Sequence, residues 1–210
     1  MEKSWIFDFD GTLINSEFHL RETFTKITKI ISPSRLDAAK TVLIGPPLKV
    51  TAKNILGEST DELLNLFTSA FIKCHDEELL KNIKIYPDVH KTLSEFYKMG
   101  YKMAIATNKR EAPTKKIIEH LGWQKFFINV ECIDSEPKER NKSKMIKIII
   151  ERNNCFEKAF FVGDTTNDGN SSSANKIRFI KAEYGYGSTE DWKDVKIYKK
   201  IDSFKELMHI

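Results

Sequence analysis

Trp5-Ile6-Phe7-Asp8-Phe9-Asp10-Gly11-Thr12 is the stretch on which the fold turns. It starts as a short apolar, aromatic run and breaks at once into acidic residues and a glycine, the pattern of a buried strand ending in a polar loop. Asp8 and Asp10 stand two apart, so on an extended backbone both carboxylates project to the same side. Gly11 lets the backbone approach a ligand closely, and its amide can serve as an oxyanion donor. Alone, an Asp-x-Asp at a strand end is an ordinary polar turn, so its meaning depends on what the rest of the chain brings beside it.

Outward from this strand the pattern changes character. Over residues 16–80 the periodicity is helical: Leu20, Phe24, Ile27 and Ile31 are spaced four, three and four apart, and Leu64, Phe67, Phe71 and Cys74 repeat the pattern. Ser32-Pro33-Ser34 and Gly45-Pro46-Pro47 punctuate it into a small helical bundle. From Pro87 onward helices and strands alternate. Val89, Leu93 and Phe96 mark a helical face closed at Gly100, and residues 103–106 read as a buried strand. Residues 113–121 form a helix closed by Gly122, residues 127–133 are strand-like, and residues 143–151 carry Met145, Ile146, Ile149 and Ile150 on one side. Residues 159–162, 177–180 and 195–198 read as further strands, with a short last helix from Ser203. The alternation predicts an α/β fold, a parallel sheet covered on both faces, interrupted near its start by the helical insertion.

Composition sets the outer bounds. The chain has 210 residues, with 34 Lys and Arg against 30 Asp and Glu, and a formal net charge of +4 carries no nucleic-acid signature. At 40% hydrophobic and 30% charged it can bury roughly 70% of its unfolded surface, which excludes disorder. No apolar run approaches the ~20 residues needed to cross a bilayer, and the first apolar run is too short for a signal peptide. The expectation is a cytoplasmic protein with no membrane and no nucleic-acid partner; oligomeric state is left open. Cys74, Cys132 and Cys155 are odd in number and far apart, with no Cys-x-x-Cys pair, and read as small buried thiols. His19, His75, His90, His120 and His209 show no metal-ligand spacing and read as surface or helix-face residues.

Parallel sheets present their ligands at the carboxyl ends of their strands. The residues found there are Asp8-Phe9-Asp10-Gly11-Thr12, Thr107-Asn108, and Gly163-Asp164-Thr165-Thr166-Asn167-Asp168. Four carboxylates on one rim would raise one another's pKa values and cost stability unless compensated. A hard divalent cation resolves this, and oxygen ligands without His or Cys favour Mg2+ over zinc. Mg2+ and a lysine would neutralise phosphoryl oxygens, and a carboxylate can attack phosphorus to give an acyl phosphate.

With these motifs in hand, the sequence resembles the haloacid dehalogenase superfamily of phosphatases, and through Tyr86-Pro87-Asp88-Val89, Ala106-Thr107-Asn108-Lys109 and Gly45-Pro46-Pro47-Leu48 its phosphoglycolate phosphatase-like branch. The likeness runs through the Tyr184-Gly185-Tyr186-Gly187 loop to Ile201-Asp202-Ser203. Three motifs in the right order are a strong signal where each alone is weak. The resemblance implies a Rossmann-like core domain over residues 1–15 and 82–210 and a helical cap domain over residues 16–81. It implies a Mg2+-dependent phosphatase of a small phosphorylated metabolite, working through an aspartyl-phosphate. Asp8 would be nucleophile and metal ligand, and Asp10 general acid and base with its carbonyl on the metal. Asp164 would bind Mg2+ and Asp168 would support that shell. Gly11, Thr12, Thr107 and Asn108 would contact substrate, Thr107 through a hydrogen bond to the phosphoryl group.

The resemblance also requires a lysine ahead of the helix before the fourth strand. Instead of the usual Lys-Pro pair the chain runs Glu136-Pro137-Lys138-Glu139-Arg140-Asn141-Lys142-Ser143-Lys144. Lys142 fits best, with Ser143 as N-cap of the apolar helix; Lys138 is the rival and Lys144 a distant third. Gly169-Asn170-Ser171-Ser172-Ser173 are poor helix formers where related proteins carry an alanine-rich helix, and predict a loose segment. The insertion would close over the core and select the leaving group, with Gly45-Pro46-Pro47 as a specificity loop or a plain helix breaker. A phosphomutase and a catalytically silent relative stand as alternatives. Phosphoglycolate, a sugar phosphate, a nucleotide monophosphate and pyrophosphate are all compatible substrates.

Overall fold

Ser4, Trp5, Ile6 and Phe7 form β1 (Ser4–Phe7), every residue of which is buried. A strand with no solvent-facing side must be paired on both edges and covered on both faces, and the rest of the fold meets that demand. A computed structural model describes residues 3–81, 83–136, 140–156 and 158–210. The chain divides into two units: residues 1–15 with 84–210, and residues 16–83.

The inserted unit contains α1 (Glu17–Ile31), α2 (Leu36–Thr41), α3 (Leu48–Leu56) and α4 (Asp61–Glu78). Phe24 of α1 stacks on Phe71 of α4 with ring centroids 4.3 Å apart. Thr60 caps α4 by accepting from the Leu63 amide at 3.3 Å. The buried stripe of α4 runs Leu64, Phe67, Phe71 and then His75 rather than Cys74. His75 and His19 are both buried, with ring centroids 5.0 Å apart, so two of the five histidines belong to the interior of this unit. The cysteines also depart from expectation: all three are free, but only Cys132 is buried and Cys155 is exposed.

The larger unit continues with α5 (Val89–Lys98), β2 (Lys102–Thr107), α6 (Glu111–His120), β3 (Asn129–Cys132), α7 (Lys142–Arg152), β4 (Phe160–Gly163), α8 (Thr166–Ala174), β5 (Arg178–Ala182) and β6 (Lys199–Ile201). The six strands form one parallel sheet in the order β3-β2-β1-β4-β5-β6. Ile6, Ala104, Ala106, Phe161 and Phe179 cover one face with Met145, Ile146 and Ile149 of α7. On the opposite face Trp5 stacks against Phe96 of α5 at 4.9 Å, and Phe7 lies 5.6 Å from Phe204. The order reverses between β1 and β4, the switch point at which such sheets open a crevice beyond their carboxyl ends.

Four elements differ from the sequence expectation for identifiable reasons. Residues 195–198 are not a strand; β6 starts at Lys199, because Val195 and Ile197 pack against the core instead. The strand expected over residues 127–133 is confined to β3, with Ile128 exposed ahead of it. Helix α7 begins at Lys142 because Asn141, not Ser143, is its N-cap, its side chain accepting from the Lys144 amide at 2.8 Å. The Gly169 to Ser173 segment is helical, not loose. Thr165 and Asp168 form a reciprocal capping box at its start, and the Ser172 hydroxyl donates to the Asp168 carbonyl at 2.8 Å.

Small residues in α8 are demanded by close packing: a Cβ at Gly169 would collide with Val195 and press on the Phe179 ring. On an exposed helix Gly→Ala stabilises by about 1 kcal/mol, whereas overpacking a tight core costs about 1–3 kcal/mol. Gly169→Ala is therefore expected to lower the urea midpoint, and a raised midpoint would show that the space above α8 is not filled as described.

Candidate active site

Asp8 follows β1 directly, Asp164 follows β4, and Asp168 lies in the first turn of α8, so the switch point collects three carboxylates. Their oxygens lie within 4.8 Å of one another. Lys142, the first residue of α7, reaches into the same cluster, its Nζ 2.8 Å from Asp8 Oδ1 and 2.5 Å from Asp168 Oδ1. All four side chains are buried.

Each carboxylate is aimed by backbone geometry. Asp168 Oδ2 accepts from the Asp164 amide at 3.1 Å, the Thr165 amide at 2.9 Å and the Thr165 hydroxyl at 2.7 Å, which leaves Oδ1 for Lys142. Asp164 Oδ1 accepts from the Thr12 hydroxyl at 3.1 Å and Oδ2 from the Tyr186 amide at 2.7 Å. Room for Asp164 is made by absent side chains. Gly11, at φ +88°, and Gly185 would each drive a Cβ into its carboxylate. The Tyr184 to Gly187 loop closes this side, with the Tyr184 hydroxyl donating to the Thr12 carbonyl at 3.0 Å. This second-sphere support has a sequence signal only in the Gly-x-Gly spacing.

Asp10 is not part of the carboxylate cluster. Its two oxygens accept from Lys109 Nζ at 3.2 and 3.1 Å, a largely buried ion pair between residues 99 positions apart. Lys109 follows the Thr107-Asn108 motif in the sequence, but nothing local in the chain points to this pairing. Thr107, at the end of β2, is buried and its Oγ1 accepts from the Lys109 amide at 3.2 Å. Asn108 follows it on the same rim. Thr12 is fully buried with its hydroxyl committed to Asp164. Among the rival lysines, Lys142 is in the cluster, Lys144 is exposed on α7, and Lys138 lies outside the described residues.

The electrostatics expose a deficit. At an effective dielectric near 20, two like charges about 4 Å apart repel by about 4 kcal/mol. Among the described residues, three carboxylates and one ammonium leave two uncompensated negative charges. Burial pushes the Asp8 carboxyl up to about 7, with Lys142 opposing and Asp168 adding to the rise. Asp164 is raised well above the carboxylate range by burial first and then by the charges of Asp168 and Asp8. Lys142 is drawn down by burial, but Asp168 and Asp8 outweigh this and hold its ammonium above the usual lysine value. Asp8 Oδ1, although close to Lys142, receives no well-directed hydrogen bond. A buried, oxygen-only donor set short of two positive charges fits a hard divalent cation such as Mg2+.

Comparison with known proteins places this geometry in context. A family model described as haloacid dehalogenase-like hydrolase matches residues 5–182. The phosphoglycolate phosphatase of Psychrobacter arcticus is 25% identical across 97% of this chain and 93% of that protein. Pyrophosphatase PpaX of Listeria monocytogenes is 27% identical across 78% of this chain and 75% of its own. Among solved structures, a predicted phosphoglycolate phosphatase from Haemophilus somnus superposes with a TM-score of 0.86 at 23% identity, covering 99% of this chain and 97% of that one. CbbY from Rhodobacter sphaeroides, solved with phosphate, gives 0.78 at 17% identity, covering 99% and 96%.

The raised Asp8 pKa has a signed consequence for stability. A carboxyl that titrates at 3.8 unfolded and at about 7 folded takes up a proton on folding, so its contribution favours the folded state at low pH. That contribution is lost as pH rises from about 4 to 7. In EDTA, the slope of unfolding free energy against pH over this window should therefore be less negative in Asp8→Asn than in wild type, as measured by urea melts at several pH values. Saturating Mg2+ should flatten the wild-type slope as well.

Proposed function

The chain belongs to the haloacid dehalogenase-like hydrolases, and from that premise we propose that it is a cytoplasmic, Mg2+-dependent phosphatase acting on a small phosphorylated metabolite through an aspartyl-phosphate. The observation that carries this reading is the Lys142 ammonium seated between Asp8 and Asp168 inside the carboxylate cluster. The family match, the relatives named for phosphoglycolate and pyrophosphate hydrolysis, and the free cysteines expected in a reducing compartment all support it.

Asp8 is the nucleophile. One of its oxygens attacks phosphorus, the bond from phosphorus to the leaving oxygen breaks, and Asp10 gives its proton to that oxygen. Asp10 then takes a proton from the water that attacks the acyl phosphate, releasing phosphate and restoring the Asp8 carboxylate. Lys142 and Thr107 hold the phosphoryl oxygens; the Gly11 amide, expected from the sequence to be a further donor, is instead committed to the Ile14 carbonyl at 2.8 Å, so Gly11 contributes room rather than a hydrogen bond. Asp8 and Asp164, with the Asp10 carbonyl, would hold Mg2+, which when bound supplies the two missing charges and screens the phosphoryl group. Asp168 has most of its acceptor sites committed to the α8 cap and Lys142, so it serves by aiming its neighbours. Lys109 steers the Asp10 carboxyl toward the leaving-group side.

The test is a panel of p-nitrophenyl phosphate, phosphoglycolate, pyrophosphate, sugar phosphates and nucleotide monophosphates, run with Mg2+ and with EDTA. Turnover should require the metal and vanish in Asp8→Asn, and beryllium fluoride should lodge on Asp8. An active Asp8→Asn protein would overturn the reading, as would silence across the panel. Lys109→Met should lower kcat about tenfold or more, because proton transfer by a well-placed acid contributes about 10²–10⁴. The Asp8 beryllium fluoride adduct should still form in that variant, since the Lys109 ammonium pairs with Asp10 and not with Asp8.

A further inference from the structure

Glu131 lies in β3, is 2% exposed, and stands apart from the carboxylate cluster. Its register partner on β2 is Ala106, so its side chain points to the face of the sheet on which α7 packs. Two arginines meet it there. Arg140, two residues ahead of Lys142 and itself buried, places Nη1 on Glu131 Oε2. Arg152, the last residue of α7, places Nη1 2.7 Å from Oε1. One carboxylate therefore grips the chain just before α7 and again at its far end.

We propose that Glu131, with Arg140 and Arg152, acts as a positioning clamp for phosphoryl transfer: it fixes α7 along its own axis and so keeps the Lys142 ammonium between Asp8 and Asp168. The proposal rests on the reading of Lys142 given above. Asn175 adds one tether at the start of α7, its Nδ2 donating to the Ser143 carbonyl at 3.0 Å and hydroxyl at 3.1 Å, but the apolar packing of α7 restrains sliding only weakly. Met145, Ile146 and Ile149 lie on a face where β2 offers only Ala104 and Ala106, and apolar contact is non-directional, opposing separation more than sliding. Guanidinium–carboxylate pairs are directional and do oppose sliding. A slip by one residue's rise, ~1.5 Å, is more than half the length of the Lys142 contacts with Asp8 and Asp168, at 2.8 and 2.5 Å, and would unbalance the pair. Misplacement by about 1 Å can cost about 10²-fold in rate. Nor does stability account for the clamp, since apolar replacements of a buried Arg–Glu group are often neutral or stabilising. Where the resemblance leads one to expect a Lys-Pro pair, Lys142 is followed by Ser143, which leaves φ unconstrained at the helix start.

The decisive protein is the full chain carrying Glu131→Leu, Arg140→Met and Arg152→Met together, which keeps bulk and removes direction. Its Tm should equal or exceed that of the wild type. With Mg2+ and p-nitrophenyl phosphate its kcat should fall at least tenfold while KM stays within about threefold. Its crystal structure should show α7 shifted along its axis and Lys142 parted from Asp8 or Asp168. A wild-type kcat, or an unmoved α7, overturns the clamp. Should the triple variant not fold, Arg152→Met alone, at a position where the side chain is 56% exposed, carries the same two readouts. Lys142→Met run in parallel separates the claims. If it stays fully active, the reading of Lys142 fails, while the position of α7 still decides the clamp.

Discussion

Three buried carboxylates meet at the switch point of the sheet, and two of them, Asp8 and Asp168, share the ammonium of Lys142. Everything around the site answers to this arrangement. The charges cannot spread apart, because Asp8, just past β1, is tied to β4 by its amide on the Val162 carbonyl at 2.9 Å, and Asp164 continues β4 directly. They cannot all be neutralised by protonation without removing the nucleophile that the proposed function assigns to Asp8. The cluster therefore carries a standing electrostatic tension, seen in the upward displacement of Asp8 and Asp164, of the kind a divalent cation would relieve.

Such a cluster also needs space, and the chain provides it by leaving side chains out. Gly11, Gly163 and Gly185 each lie where a methyl group would strike Asp164 or Asp168, and a Cβ at Gly187 would meet the Asp164 carbonyl. These glycines come from three separate segments, yet all make room for the same two aspartates. The same economy appears in α8, where Gly169 and the serines let the helix that carries Asp168 settle closely onto β5 and Val195. Sequence that looks too weak to form a helix is what permits the helix to sit where its first turn is useful.

This explains which parts of the protein can be read from the chain. β1, β2 and β4 are legible because strands buried on both faces are short unbroken apolar runs, and the acidic residues follow them immediately. Helix α8 is not, because its stability comes from the Thr165 and Asp168 box and from packing rather than from propensity. The choice of Lys142 over its neighbours rests on which residue Asn141 caps, and Ser143 is an equally good cap on paper. Lys109 and Glu131 were invisible for a different reason. Each is a charge buried against a partner distant in sequence or beyond a loop, and composition alone assigns such residues to the surface.

The strand at the heart of the sheet is also the first to be made. β1 spans residues 4–7, but its two neighbours in the ladder are residues 102–105 and 160–162. During synthesis the aromatic segment must wait, unpaired on both edges, until the inserted unit and residues 102–105 have emerged from the ribosome, and with one edge still open until residues 160–162 follow. Trp5, Ile6 and Phe7 are the kind of sequence that adheres to other nascent chains in that interval. Asp8 and Asp10, placed directly after them, put charge beside the exposed apolar run and so discourage association before any metal or phosphate has been met.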